Sequence, residues 1–141
     1  MAQNANKGQM QVTLKIDDEK IASALISAFE GGSNYWYQIE SVRKPRGEQA
    51  LWKYREDSGR VYPHIDYPMN PTGHLIISSL EEPEKGKFKL TRRRIEQGLQ
   101  KLAESKDYGH HFRDLASDDG GDQVTGDVLL QFCLFGDVIY G

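Results

Sequence analysis

Near the start of this chain the apolar residues change their spacing from about two to about 3.6, which confines it to folds that pack helices on a sheet. Met10, Val12, Leu14 and Ile16 alternate with Gln11, Thr13 and Lys15, the pattern of a half-buried strand. Asp17 and Asp18 then offer N-cap oxygens to a helix. Its apolar face is Ile21, Ala24, Leu25, Ala28 and Phe29, and Gly31-Gly32 ends it.

Similar switches recur along the chain. Asn34 to Val42, rich in aromatic and β-branched residues, reads as a second strand that stops before Lys44-Pro45-Arg46-Gly47. A short element of undetermined type follows around Ala50 to Arg55. From Asp57 to Gly73, the prolines Pro63, Pro68 and Pro71 with Gly59 and Asn70 predict a long ordered loop without regular structure. His74 to Leu80 and Lys87 to Leu90 predict a hairpin turning through Pro83 and Gly86. Thr91 caps a helix carrying Ile95, Leu99 and Leu102, and a short helical piece follows around Phe112 and Leu115. After the acidic loop Asp118 to Asp122, Thr125 is expected to cap a last helix through Val128, Leu129, Phe132 and Phe135, closed by Gly136. Val138 to Tyr140 would add a final strand. The elements follow no regular βαβ series, so the expected class is α+β: a small mixed or antiparallel sheet with two to three packed helices. Residues 1–8 read as a disordered leader and 9–141 as a single domain.

With 141 residues, 38% of them hydrophobic and 28% charged, the chain can enclose one core. A net charge of −3 provides no basic field to gather nucleic acid non-specifically, so any anion site must be local. Cys133 is the only cysteine; it excludes an intrachain disulfide and reads as a small buried hydrophobe. Met1 to Gly8 are polar and no run approaches the roughly 20 apolar residues of a membrane span. A cytoplasmic setting and no membrane partner are the expectation.

Arg92, Arg93 and Arg94 fall in the first turn of the helix after Thr91, where the dipole disfavours cations. A negative group should therefore be near: a ligand phosphate cradled by guanidinium forks and free N–H groups, or the chain's own carboxylates. Tyr35, Trp36 and Tyr37 follow a glycine turn, and alternation sets Trp36 opposite the two tyrosines. One face would serve as a stacking platform, unless all three are core. The loop holding His64, Asp66 and Tyr67 between prolines has the makings of a preorganised binding loop, the alternative being a stiff loop pinned to the core. His64 and Asp66 with His110 and His111 match no metal-ligand spacing. No catalytic or phosphate-loop motif is present and no cofactor is implied.

Gly31-Gly32-Ser33-Asn34-Tyr35-Trp36-Tyr37, His64-Ile65-Asp66-Tyr67-Pro68, Gly98-Leu99-Gln100 and the tail from Thr125 to Gly141 resemble segments of small accessory proteins of tailed bacteriophages and prophages, a group with no assigned activity. The resemblance implies a setting: an accessory, anti-defence protein made in the cytoplasm of an infected bacterium. The first functional expectation is then a non-catalytic binding protein that captures a small phosphate-bearing ligand, such as a nucleotide-derived signal, on Arg92 to Arg94 and an aromatic. The second is a protein-interaction inhibitor of a host enzyme, and the third a metal-dependent hydrolase. A homo-oligomer is compatible with the aromatic surplus and short sheet.

Overall fold

The computed structural model describes residues 8–10, 12–47, 52–54 and 59–141. In chain order these hold α1 (Asp18–Ser27) running on through one π-helical turn Ala28–Gly32, β1 (Tyr37–Arg43), α2 (Pro63–Met69) and β2 (His74–Ser79). A 3-10 turn Pro83–Lys85 leads to β3 (Lys87–Leu90), and α3 (Arg92–Glu104), α4 (Gly109–Ala116) and α5 (Gln123–Phe135) follow. The sheet is antiparallel with order β1-β2-β3. This is the small α+β fold with packed helices that the apolar spacing predicts.

The innermost element is α5. Every residue from Thr125 to Leu134 is buried, the signature of a helix enclosed on all sides rather than amphipathic. α1 and α3 flank it. Both contacts depend on glycine: a Cβ on Gly98 would lie 2.7 Å from Cys133 Cα, and one on Gly126 would lie 2.4 Å from the Ala24 carbonyl oxygen. Against the sheet, Phe88 meets Phe135 with ring centroids 4.9 Å apart, above the fully buried Leu75, Ile77 and Leu90.

One sheet face is thus core and the other is open, as antiparallel sheets allow. Register assigns Gln38, Ser41 and Arg43 of β1, His74, Ile76 and Ser78 of β2, and Lys87 and Lys89 of β3 to the open face. A β-bulge between Ile39 and Ser41 re-phases β1. Without it, Arg43 would share the core side with Ile39.

Several expectations need correction. The strand expected at Met10 to Ile16 does not form: residues 12–17 have no regular structure, and Met10, Val12 and Leu14 are 94%, 77% and 66% exposed. The arm passes Leu99, Ala103 and Phe112 on α3 and α4, and helices have no spare backbone groups with which to pair a strand. β1 starts at Tyr37 instead of Asn34, because Ser33 to Trp36 form a turn in which the Ser33 carbonyl accepts from Trp36 N–H at 3.0 Å. The loop expected from Asp57 to Gly73 contains α2. Pro63 starts it without losing a needed donor, and Pro68 falls in its last turn. Asp122 caps α5 by accepting Thr125 N–H at 2.9 Å, which leaves Thr125 buried three residues inside. Val138 to Tyr140 form no strand. The expected leader at 1–8, apart from Gly8, and Ala50, Leu51 and Arg55 of the undetermined element lie outside the described residues.

Gly98→Ala sets two known effects against each other. Alanine favours a helix by up to about 1 kcal/mol over glycine, whereas overpacking a tight contact costs about 1–3 kcal/mol. With backbone atoms of Cys133 in the way, the packing term should win, and the urea midpoint should fall; a midpoint at or above wild type would contradict the close α3–α5 contact.

Candidate functional site

The turn after α1 and the C-terminal tail meet at one buried carboxylate. Asp127, on α5, accepts from Ser33 Oγ at 2.7 Å, Trp36 Nε1 at 2.7 Å and Tyr35 OH at 2.8 Å. One turn later, Gln131 donates to Asp127 at 3.2 Å and to the Tyr140 carbonyl at 3.1 Å. Its Oε1 accepts the N–H groups of Ile139 and Tyr140, each at 2.8 Å. The Tyr140 hydroxyl closes the network on Ser79 Oγ at 2.7 Å. This joins the glycine–aromatic segment to the tail, and it places the aromatics unequally.

Trp36 is 0% exposed, stacked on Tyr140 at 5.2 Å and tilted against Phe135 at 5.4 Å, so no ring face is open to a ligand. Tyr37 packs on Phe29 at 5.2 Å and gives its hydroxyl to the Phe29 carbonyl. Burial, with the nearby Glu30 charge, pushes its phenol pKa up. Tyr35 is 45% exposed, but its hydroxyl is engaged; burial of that group and the bond to Asp127 push its pKa up to about 12, so it stays a donor.

The residues of the expected binding loop lie on α2. Asp66 is buried, accepting the N–H groups of Tyr54 at 2.7 Å and Tyr62 at 2.9 Å. Asn70, one turn on, accepts Trp52 N–H at 2.9 Å and donates to the Trp52 carbonyl at 2.8 Å. Together they hold residues 52–54 as a neighbouring strand would. His64 lies at the edge of Phe29, 5.9 Å between ring centroids, and desolvation holds its pKa below the ordinary histidine value despite Glu30 and Asp66. Tyr67 is half-buried, with its carbonyl close against Gly73. His111 Nδ1 lies 3.0 Å from Thr125 Oγ1. Among the described residues, no group of three or more His, Cys, Asp or Glu side chains is placed to hold a metal.

The three arginines diverge. Arg92 forks onto Asp18, with contacts of 2.9 and 3.1 Å, and donates to the Met69 carbonyl at 2.7 Å, tying α3 to α1 and α2. Arg94 reaches the Leu134 carbonyl at 3.4 Å, where the negative end of α5 receives a cation. Arg93 is exposed and has no ion pair among the described residues. Dipole repulsion costs some tenths of a kcal/mol, while a hydrogen bond to a charged group contributes about 1.5–3 kcal/mol. The partners therefore outweigh the helix end for Arg92.

Among the described residues no buried side-chain nitrogen or oxygen lacks a hydrogen-bond partner. The polar side chains of the described interior are thus engaged with one another and with the backbone. An open groove of about 760 Å³ runs between the arm and α1, α3 and α4, but its charges are mixed: Lys15 and Arg92 against Asp18, Glu96 and Glu104. The open sheet face differs. Arg43, His74 and Lys89 surround Ile76 there, on three different strands, and none of the three forms an ion pair among the described residues. Desolvation and the charges of Lys89 and Arg43 hold the His74 pKa below its ordinary value. Pro45 packs against Gly73 and Arg46 N–H donates to Thr72 Oγ1 at 2.7 Å, keeping Lys44 and Arg46 beside the start of β2. Sequence reasoning missed this cluster. The alternation of Lys87 and Lys89 was its available signal, but Arg43 joins them only through the bulge.

Comparison with protein-family models, curated proteins and solved structures finds no match for this chain.

Alanine substitutions separate these roles. Asp127→Ala, which removes the acceptor of four donors, should cost at least about 3 kcal/mol in urea unfolding, and Arg92→Ala about 1–3 kcal/mol. Arg93→Ala should stay within about 0.5 kcal/mol of wild type. A loss from Arg93→Ala equal to that from Arg92→Ala would refute this assignment.

Proposed function

We propose that this protein is a non-catalytic binding module that holds a phosphate-bearing ligand on the open face of its sheet. The observation that carries this reading is the placement of Arg43, His74 and Lys89 around Ile76 without a counter-carboxylate among the described residues. Lysines on an edge strand also discourage sheet-to-sheet pairing, which would account for Lys87 and Lys89. The same rule covers Arg43 on the other edge strand, but it does not account for a histidine between them on the central strand. A small nucleotide, the ligand expected from the sequence, would be held here by its phosphates alone, since Trp36 is enclosed.

An anion on this face favours the imidazolium form, so it should raise the depressed His74 pKa. By linkage, binding should tighten as pH falls through that pKa. The groups facing His74 are Arg43 from β1 and Lys89 from β3. Titration of the histidine ring signals by NMR with inorganic pyrophosphate and ATP should move His74 and leave His64 and His111 in place. If His74 titrates identically with and without saturating anion, the reading fails.

A second reading, a protein-interaction module, is favoured by the arm. Met10, Val12 and Leu14 expose a row of apolar side chains beside the mixed-charge groove. Val12→Asp with Leu14→Asp should leave the melting temperature unchanged while abolishing capture of a host protein from infected cells. Capture that survives the double substitution would eliminate the arm as the contact.

A further inference from the structure

We propose that the open sheet face takes the phosphodiester backbone of a single-stranded nucleic acid, laid across Arg43 and Lys89 and alongside His74. This rests on the anion-binding reading above and names its ligand.

The first argument is the shape of the charge. Arg43 and Lys89 sit on the two edge strands with β2 between them, opposite His74 and Ile76 respectively, so their Cα atoms lie about 12 Å apart on a diagonal of two strand spacings of about 4.8 Å and two residues of about 3.4 Å. Such a pair is too wide to grip one phosphate. It suits successive groups on an extended anion, and Lys44 and Arg46 prolong the same basic end past the start of β2.

Next is the lack of enclosure. Among the described sheet residues of this face, Ile76 is the only apolar side chain between the cations and none is Phe, Tyr or Trp, so a base finds no broad stacking platform. A mononucleotide would keep most of its surface in water. A polymer multiplies phosphate contacts and gains from the counterions each one releases.

Charge at the far end of the sheet selects against a duplex. The turn from β2 to β3 is net acidic, with Glu81, Glu82 and Glu84 against Lys85, which pairs with Glu82 at 3.8 Å, and Lys87 is already matched to Glu40 at 3.8 Å. The basic area is therefore a strip about as wide as the three strands, bounded by carboxylates. Among the described residues no helix or ribbon stands above it to enter a duplex groove about 12 Å wide. One backbone fits the strip, whereas the second strand of a duplex would face the acidic turn. Ser41 adds an exposed hydroxyl along the same face.

Fluorescence anisotropy with a labelled oligothymidylate tests this on the full chain. Binding should weaken with salt along a log–log slope of roughly −2, as expected when about three cations meet a single strand. Arg43→Gln and Lys89→Gln should each weaken it by roughly 3- to 10-fold, while Arg93→Gln leaves it unchanged. Circular dichroism and melting temperature establish that all three variants fold. Equal or tighter binding of a matched duplex overturns the single-strand assignment. Competition by polyglutamate at equal charge concentration would identify an acidic protein as the occupant and overturn the proposal. Unchanged binding in both Gln variants would move the site elsewhere. Pyrophosphate or ATP shifting His74 while the oligothymidylate does not bind would overturn this inference but leave the anion reading standing; failure of all these anions removes both.

Discussion

A carboxylate with almost no access to water is costly unless donors surround it, and the placement of Asp127 imposes that condition on the centre of this protein. Donors come from Ser33, Tyr35 and Trp36 in the turn after α1 and from Gln131 one turn along α5. Gln131 in turn holds the backbone of Ile139 and Tyr140. Because these bonds are directional, they fix how α5 is rotated between α1 and α3, and the glycines at 98 and 126 let the neighbouring backbones approach once that rotation is set. The tail has its N–H groups satisfied by a side chain, so it has no need of a strand partner.

The same logic of satisfaction separates structural from available polar groups. Asp66 and Asn70 serve backbone groups of residues 52–54 and 62, and Arg92 and Arg94 serve a carboxylate and two carbonyls. Each of these side chains has chemistry that would suit a ligand. The fold uses that chemistry internally. What is left facing solvent is the outer side of the sheet, where Arg43 and Lys89 turn their charges outward beside His74, and the apolar arm along the helices.

Much of the architecture was legible in residue spacing. The α1 face, the β2–β3 hairpin, the Thr91 cap of α3, whose Oγ1 accepts Arg94 N–H at 3.1 Å, and the left-handed Gly136 that ends α5 are local features, and local rules sufficed. The arm illustrates the limit. Met10, Val12 and Leu14 alternate as a strand should, but alternation only states that a segment suits a sheet edge, not that an edge lies beside it. α2 shows the converse: prolines at its first and sixth residues signal a loop, yet Asp66 gains two backbone donors when the segment coils.

Sequence by itself determined the class of fold, the helices and hairpin with strong periodicity, the single core and the absence of any intrachain disulfide, because these follow from spacing and composition within short windows or over the whole chain. Tertiary structure alone decided which polar residues are consumed by the fold and which are left to face solvent. Asp127, Arg92 and Trp36 find partners 91, 74 and 91 positions away respectively, and Arg43 reaches the open face through a one-residue bulge. Hydrogen bonds and strand register at such separations are set by how elements pack, a property that no local pattern of residues encodes.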